Sequence, residues 1–140
     1  MPNALVPEFA VRNYKQSLAF YCDLLGFECD YARPEEGFAY LKLGGAELMI
    51  DEIGTGRTFD DGHLPTAYPF GRGVNVQIEV PEVRPLLINL EAAKYPLFLP
   101  LEEKWYRVGE NEFGNHQFMV ADPDGYLLRF FEDLGERPGG

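Results

Sequence analysis

Carboxylates, amides and aromatic rings supply most of the side chains here that could do chemistry. Asp and Glu number 23 against 12 Lys and Arg, with two His, for a formal net charge of −11. Glu47, Met49 and Asp51 fall at alternate positions of one apolar-rich segment. Asn75, Gln77 and Glu79 alternate with Val74, Val76, Ile78 and Val80 in another. Alternate residues of a strand share a face, so each set presents amides or carboxylates to one side. Adjacent pairs such as Asp51-Glu52 and Glu102-Glu103 point to opposite faces and make no acid–base dyad. No GxSxG, HExxH, P-loop or GxGxxG motif occurs. His63 and His116 stand alone, and a metal needs convergent donors, so surface or turn roles are expected for them. Cys22 and Cys29 form neither a CxxC pair nor a disulfide framework. Reduced thiols in a cytoplasmic chain are expected, with Cys29 as a small packing residue. An acidic field attracts cations or simply keeps the chain soluble, while nucleic-acid binding needs basic patches and is disfavoured. Carboxylates can hold a cationic group and aromatic faces can stack on planar rings.

The elements that must position these groups follow from periodicity. Residues 5–11 read as a strand. Asn13, with Gln16 three residues on, opens a helix whose apolar face is Leu18, Tyr21, Cys22 and Leu25, and Gly26 ends it. Strands are expected at 27–31, 37–43 and 46–52, with Gly44-Gly45 as a hairpin turn. Residues 53–72 form a long connection without periodicity, rich in Gly, Pro, Thr and Asp. Its Phe59, Leu64, Tyr68 and Phe70 suggest that it covers a pocket or a subunit contact. The pattern then restarts: a strand at 73–80, a helix at 83–94, and strands near 97–101, 105–108 continuing to 117–120, and 126–131. Asp122-Pro123-Asp124-Gly125 is a turn.

The expected fold is therefore α+β: two βαβββ repeats (about 4–52 and 73–131) forming a curved mixed sheet. Helices would lie on its outer face and a cleft on its concave face. One domain spans 1–134, and the tail 135–140 is expected to fray. No apolar run approaches the ~18 residues of a membrane helix. Residues 1–10 lack a basic start and carry Glu8, so no secretory leader is expected.

This order, with Ser17-Leu18-Ala19-Phe20-Tyr21 through Leu25-Gly26-Phe27 and with Asp122-Pro123-Asp124-Gly125-Tyr126, resembles the vicinal oxygen chelate superfamily. That group includes glyoxalases, extradiol dioxygenases and bleomycin-resistance proteins. The resemblance covers about 5–131. Its enzymes hold a metal at positions that correspond here to Val6, Met49, Asn75 and Arg129. Valine has no donor, a thioether is soft, an amide is poor alone, and guanidinium is always cationic. The resemblance thus implies no metal, no cofactor and no catalytic residue. It points to the bleomycin-resistance branch, whose dimers sequester a cationic, aromatic antibiotic in crevices at the subunit boundary. Pro7 fits that branch, where a proline near the N-terminus lets the first strand cross to the partner.

Expected ligand-binding residues are Phe38, Tyr40, Met49, Asn75, Gln77, Trp105, Phe118, Arg129, Glu47 and Asp51. Phe38, Trp105 and Phe118 would stack on rings. Glu8, Glu47, Asp51 and Glu79 would supply the field, and Asn75, Gln77 and Arg129 the orienting hydrogen bonds. The function expected is metal-independent capture of bleomycin-type glycopeptides by a cytoplasmic homodimer, without nucleic-acid or membrane partners. The alternatives are a metal-dependent glyoxalase- or dioxygenase-like enzyme of the same superfamily and a binder of another flat small molecule.

Overall fold

The computed structural model describes residues 2–140. Strand β1 (Glu8–Val11) leads into helix α1 (Tyr14–Leu18). The Asn13 side chain caps α1 by accepting from the Gln16 amide at 2.9 Å, as the sequence pattern requires. The helix widens into a π-helical stretch, Ala19–Leu24, and ends at Gly26, whose φ of +80° is one that L side chains rarely adopt. Strands β2 (Glu28–Arg33), β3 (Phe38–Leu43) and β4 (Ala46–Glu52) complete the first repeat. The second holds β5 (Asn75–Glu79), α2 (Arg84–Ala92), β6 (Leu99–Val108), β7 (Asn111–Ala121) and β8 (Leu127–Pro138). Among the described residues no helix is long and apolar enough to cross a membrane.

The repeats have the same topology. Four strands in the order β1-β4-β3-β2 are matched by four in the order β5-β8-β7-β6. The first strand of each runs parallel to the last, with Glu8 beside Met49 and Gln77 beside Arg129. The single curved sheet expected is instead two four-stranded mixed sheets, one from each repeat, whose inner faces and helical segments share the core. The α+β class and the repeated βαβββ unit are as expected.

A shared core joins the halves. Phe9, Val11, Leu41, Leu48 and Ile50 of the first sheet meet Ile78, Val80, Phe118, Val120, Leu128 and Phe130 of the second. Tyr21, Leu25, Val83 and Leu90 come in from the helical segments. Burying each large apolar side chain is worth about 1.5–3 kcal/mol. A polar clasp adds direction. The Asp122–Gly125 turn of the second repeat is received by the first repeat's helix. Asp122, 1% exposed, accepts from the Tyr21 hydroxyl at 2.6 Å and from the amides of Asp124 and Tyr126, both at 2.9 Å. Asp124 pairs with Arg12 Nε at 2.7 Å. The Tyr126 ring stacks on Phe9 at 4.2 Å, and its hydroxyl donates to the Ala10 carbonyl.

Two strand expectations need correction. The short segments foreseen at 97–101 and 105–108 are one ten-residue strand, β6, and β7 is likewise continuous. The tail foreseen as frayed from residue 135 continues β8 to Pro138. There Asn111 pairs with Pro138 and Glu112 with Arg137, and the Gly139 amide donates to the Glu110 carbonyl. The tail has little apolar side chain to bury, but its backbone groups gain ladder partners from β7. Such long-range pairing leaves no mark on local composition.

Candidate functional site

Strand alternation divides every strand residue between the helix face and the open face on the other side. In the first repeat Phe9 and Val11, Ala39 and Leu41, and Leu48 and Ile50 go to the core. Glu8 and Ala10, Phe38 and Tyr40, and Glu47, Met49 and Asp51 are left on the open face. In the second repeat Val76, Ile78, Val120, Leu128 and Phe130 go to the core, leaving Asn75, Gln77, Gln117 and Arg129 outside it.

On the first sheet the 53–72 connection folds over the open face, as its aromatic content suggested. Phe70, 3% exposed, anchors it, with its amide donating to the Asp124 carbonyl at 2.8 Å. Together with Glu8, Ala10, Asp51 and Tyr126, loop residues including Phe59, His63 and Leu64 enclose a cleft of about 300 Å³. A second cleft of about 210 Å³ shares Glu8, Asp51 and Phe59 and adds Arg33, Glu36, Phe38 and Arg57. Desolvation raises the pKa of both cleft carboxylates. The charge of Asp51 adds to the effect at Glu8, and that of Glu36 adds to it at Asp51. Arg33 opposes both shifts and Arg57 opposes that at Glu8, and a further cation between the carboxylates would act in the same direction.

Phe38 and Tyr40 lie on this face but are already covered, each 5% exposed. The Arg33 guanidinium sits 4.1 Å from the Phe38 ring centroid, and Tyr31 stacks on Tyr40 at 5.2 Å. Glu47 accepts from the Tyr40 hydroxyl and from the Asn3 amide, which lowers its pKa. Phe59, 57% exposed, lines both clefts; sequence reasoning names it among the loop's large apolar residues without assigning it a ligand. Tyr31, 47% exposed, sequence reasoning missed: a bulge at Asp30 shifts the register so that Tyr31 lies opposite Tyr40, which alternation could not foresee.

The second sheet carries a different set. Gln117, 2% exposed, donates through Nε2 to Glu102 Oε2 and to the Tyr106 hydroxyl, each at 2.8 Å. Arg129 Nη1 donates to the same hydroxyl at 3.3 Å. Gln77 is the cross-strand neighbour of Arg129, and Asn75 that of Leu127. Asn75, Gln77 and Arg129 are not among the residues lining the first-sheet clefts.

Phe118 and Trp105 depart from the expected cleft. Phe118 is fully buried in the core, stacked on Phe130 at 5.5 Å. Matching the registers β3–β4 and β7–β8 makes Gln117, not Phe118, the counterpart of Phe38: Phe38 pairs with Asp51 as Gln117 pairs with Phe131. A slip of one residue moves a side chain to the other face. Trp105 pairs with Gly114, while Glu102 pairs with Gln117 and Tyr106 with Phe113. The indole therefore lies on the face opposite Gln117 and Tyr106. It rests against Gly114, where an added Cβ would come within 2.7 Å of the ring, and Arg137 covers it at 3.9 Å.

The donor set fits no divalent metal. Met49 and Arg129 occupy equivalent positions of the two last strands, and neither is a hard donor. Among the described residues no group of three or more His, Cys, Asp or Glu is arranged to hold an ion.

Comparison with known proteins agrees with this architecture. A sequence profile described as the Glyoxalase/Bleomycin resistance protein/Dioxygenase superfamily matches residues 5–130. Proteins named bleomycin resistance protein from Geobacillus stearothermophilus and Staphylococcus aureus are 28% identical over 139 residues, covering 92% of this chain and 96% of the relative. Among solved structures, a protein of unknown function from Agrobacterium tumefaciens str. C58 is 24% identical with a TM-score of 0.67, covering 96% of each chain. TioX from Micromonospora sp. ML1 is 22% identical with a TM-score of 0.65, covering 94% of this chain and all of that one. At these identities the structural likeness speaks for the fold.

Proposed function

The chain belongs to the Glyoxalase/Bleomycin resistance protein/Dioxygenase superfamily, and from that premise we propose that it captures a flat, cationic antibiotic of bleomycin type without metal or covalent chemistry. The reading is carried by the residues that the resemblance puts at the four family ligand positions, Val6, Met49, Asn75 and Arg129, which make no metal-donor set, and it is supported by the first-sheet cleft that holds Glu8 and Asp51. The relatives named bleomycin resistance protein support the same reading. In it, a cationic group of the drug sits against Glu8 and Asp51, and Phe59 and Tyr31 offer ring faces. Capture protects the drug's target for as long as the complex lives.

Titration calorimetry with metal-free bleomycin tests the proposal. Heat is the right signal, because the chain's one indole, Trp105, faces away from the cleft. Saturable binding near one drug per subunit is expected, with affinity that falls but persists as salt rises, because charge attraction is screened over ~8 Å at physiological ionic strength and stacking is not. Affinity is also expected to fall on acidification. The fall should begin at a higher pH than for ordinary carboxylates, because Glu8 and Asp51 both protonate more readily than usual. Absence of binding at high micromolar drug in low salt would remove bleomycin from the account.

The proposed working form is a cytoplasmic homodimer. The dimer's support in the molecule is the β6–β8 ribbon, which exposes Leu101, Val108, Phe113 and Leu134. Sedimentation at micromolar concentration should give twice the 15.9 kDa chain mass. A stable monomer would exclude a site built from two subunits.

A further inference from the structure

We propose that Arg129 and Tyr106, positioned by Gln117, form a carboxylate subsite on the open face of the second sheet. It rests on the reading of this face as ligand-binding but not on the ligand being a bleomycin.

The argument is a count of donors. Glu102 can only accept when ionised, so the Gln117 amide must turn its NH₂ toward it. That same NH₂ reaches the Tyr106 hydroxyl, and an amide nitrogen cannot accept. Arg129 Nη1 also reaches this hydroxyl, and a guanidinium cannot accept either. The Tyr106 oxygen is therefore an acceptor twice over, and its own hydrogen is unspent. Arg129 Nε is enclosed and has no hydrogen-bond partner, and its Nη2 makes no hydrogen bond to the described residues. None of the four ion pairs among the described residues involves Arg129, although acidic side chains outnumber basic ones about two to one.

The unspent donors within a ligand's reach are Nη2 of the guanidinium and the hydroxyl hydrogen of the neighbouring phenol, while the enclosed Nε holds the guanidinium in place. Together these two donors can serve the two oxygens of a carboxylate. Gln117, 2% exposed and held by Glu102, fixes the phenol in place. Where the superfamily's enzymes carry a metal ligand, this chain carries a permanent cation of its own, able to bind an anionic oxygen directly.

The test uses 2-naphthoate and its neutral analogue 2-naphthamide, followed by calorimetry and by the NMR signal of the Arg129 Nε–H group. Naphthoate is expected to bind at least about tenfold more tightly than naphthamide and to shift the Arg129 Nε–H signal saturably, through the charge bound at the neighbouring Nη2. Arg129→Gln is expected to lose that preference, and Tyr106→Phe to lose part of it, with naphthamide binding unchanged in both. Equal affinity for the two probes, no saturable naphthoate binding, or an unchanged preference in Arg129→Gln overturns the proposal. Should the variants fail to fold, the wild-type signal decides: an Arg129 Nε–H resonance that does not move at saturating naphthoate overturns it. Bleomycin binding without naphthoate binding would remove only the subsite. Naphthoate binding without bleomycin binding would keep the subsite and remove the drug.

Discussion

Phe118→Ala is expected to cost about 3–5 kcal/mol of folding stability, the range for truncating a fully buried aromatic. Phe118 has no exposed surface, packs face to face with Phe130 at 24° between rings, and belongs to the core that joins the two sheets. The cavity would open at the junction of the repeats, where both sheets and helical residues meet, so relaxation of one element alone cannot fill it. Denaturant unfolding followed by circular dichroism reads the loss as a lower midpoint. Trp105→Ala is the control. Its ring sits at the ribbon's edge under Arg137, and its removal should cost far less. If Phe118→Ala kept its midpoint to within about 1 kcal/mol and lost ligand binding instead, the assignment of the two sheet faces would be wrong.

The second large effect concerns pH. Burial raises the Asp122 carboxyl from 3.8 to about 6, against the lowering effect of the hydrogen bonds from Tyr21, Tyr126 and Asp124. The folded state therefore holds this proton more tightly than the unfolded chain does. The stability this group contributes is fully present below about pH 4 and is lost as pH rises toward 6. A shift of about two units corresponds to roughly 3 kcal/mol. Asp122→Asn keeps an oxygen for the two backbone amides and cannot ionise. The stability difference between wild type and Asp122→Asn, measured by denaturant unfolding from pH 4 to 7, should thus move by about 3 kcal/mol in favour of the variant as pH rises. A flat difference would mean that burial does not raise the Asp122 carboxyl in the folded chain. Asp122→Ala would leave those two amides without an acceptor and is expected to be destabilising across the whole range.

Local pattern carried far in this chain because most of its elements are specified locally. Asn13 with Gln16 marks a helix start through a side-chain-to-backbone bond that spans three residues. Val76, Ile78 and Val80 declare the buried face along β5 by alternation, while Val74, which the same alternation would bury, lies before the strand and is 56% exposed. The expectation that 53–72 would cover something followed from large rings in a polar loop, and those residues enclose the Glu8–Asp51 cleft. Met49 and Arg129 could be matched as equivalent positions by counting from the turn glycines Gly45 and Gly125. β4 and β8 run unbroken through those positions.

Quantities that depend on pairing between distant strands were not available that way. Whether Phe118 or Gln117 faces away from the helices depends on a one-residue register between β7 and β8, and both residues are plausible on either side by composition. The bulge at Asp30 turns Tyr31 toward Tyr40, and only the ladder with β3 reveals it. The tail from Gly135 to Pro138 looks like unstructured sequence until β7 offers it hydrogen bonds. The enclosed Nε of Arg129 and the doubly accepting hydroxyl of Tyr106 exist because β6, β7 and β8 lie side by side. Sequence by itself determined the class of fold, the repeat and the acidic character, since each is written in short-range pattern or in composition. Tertiary structure alone decided which side chains share a face and which donors are left without acceptors, because hydrogen-bond satisfaction belongs to pairs of groups far apart in the chain.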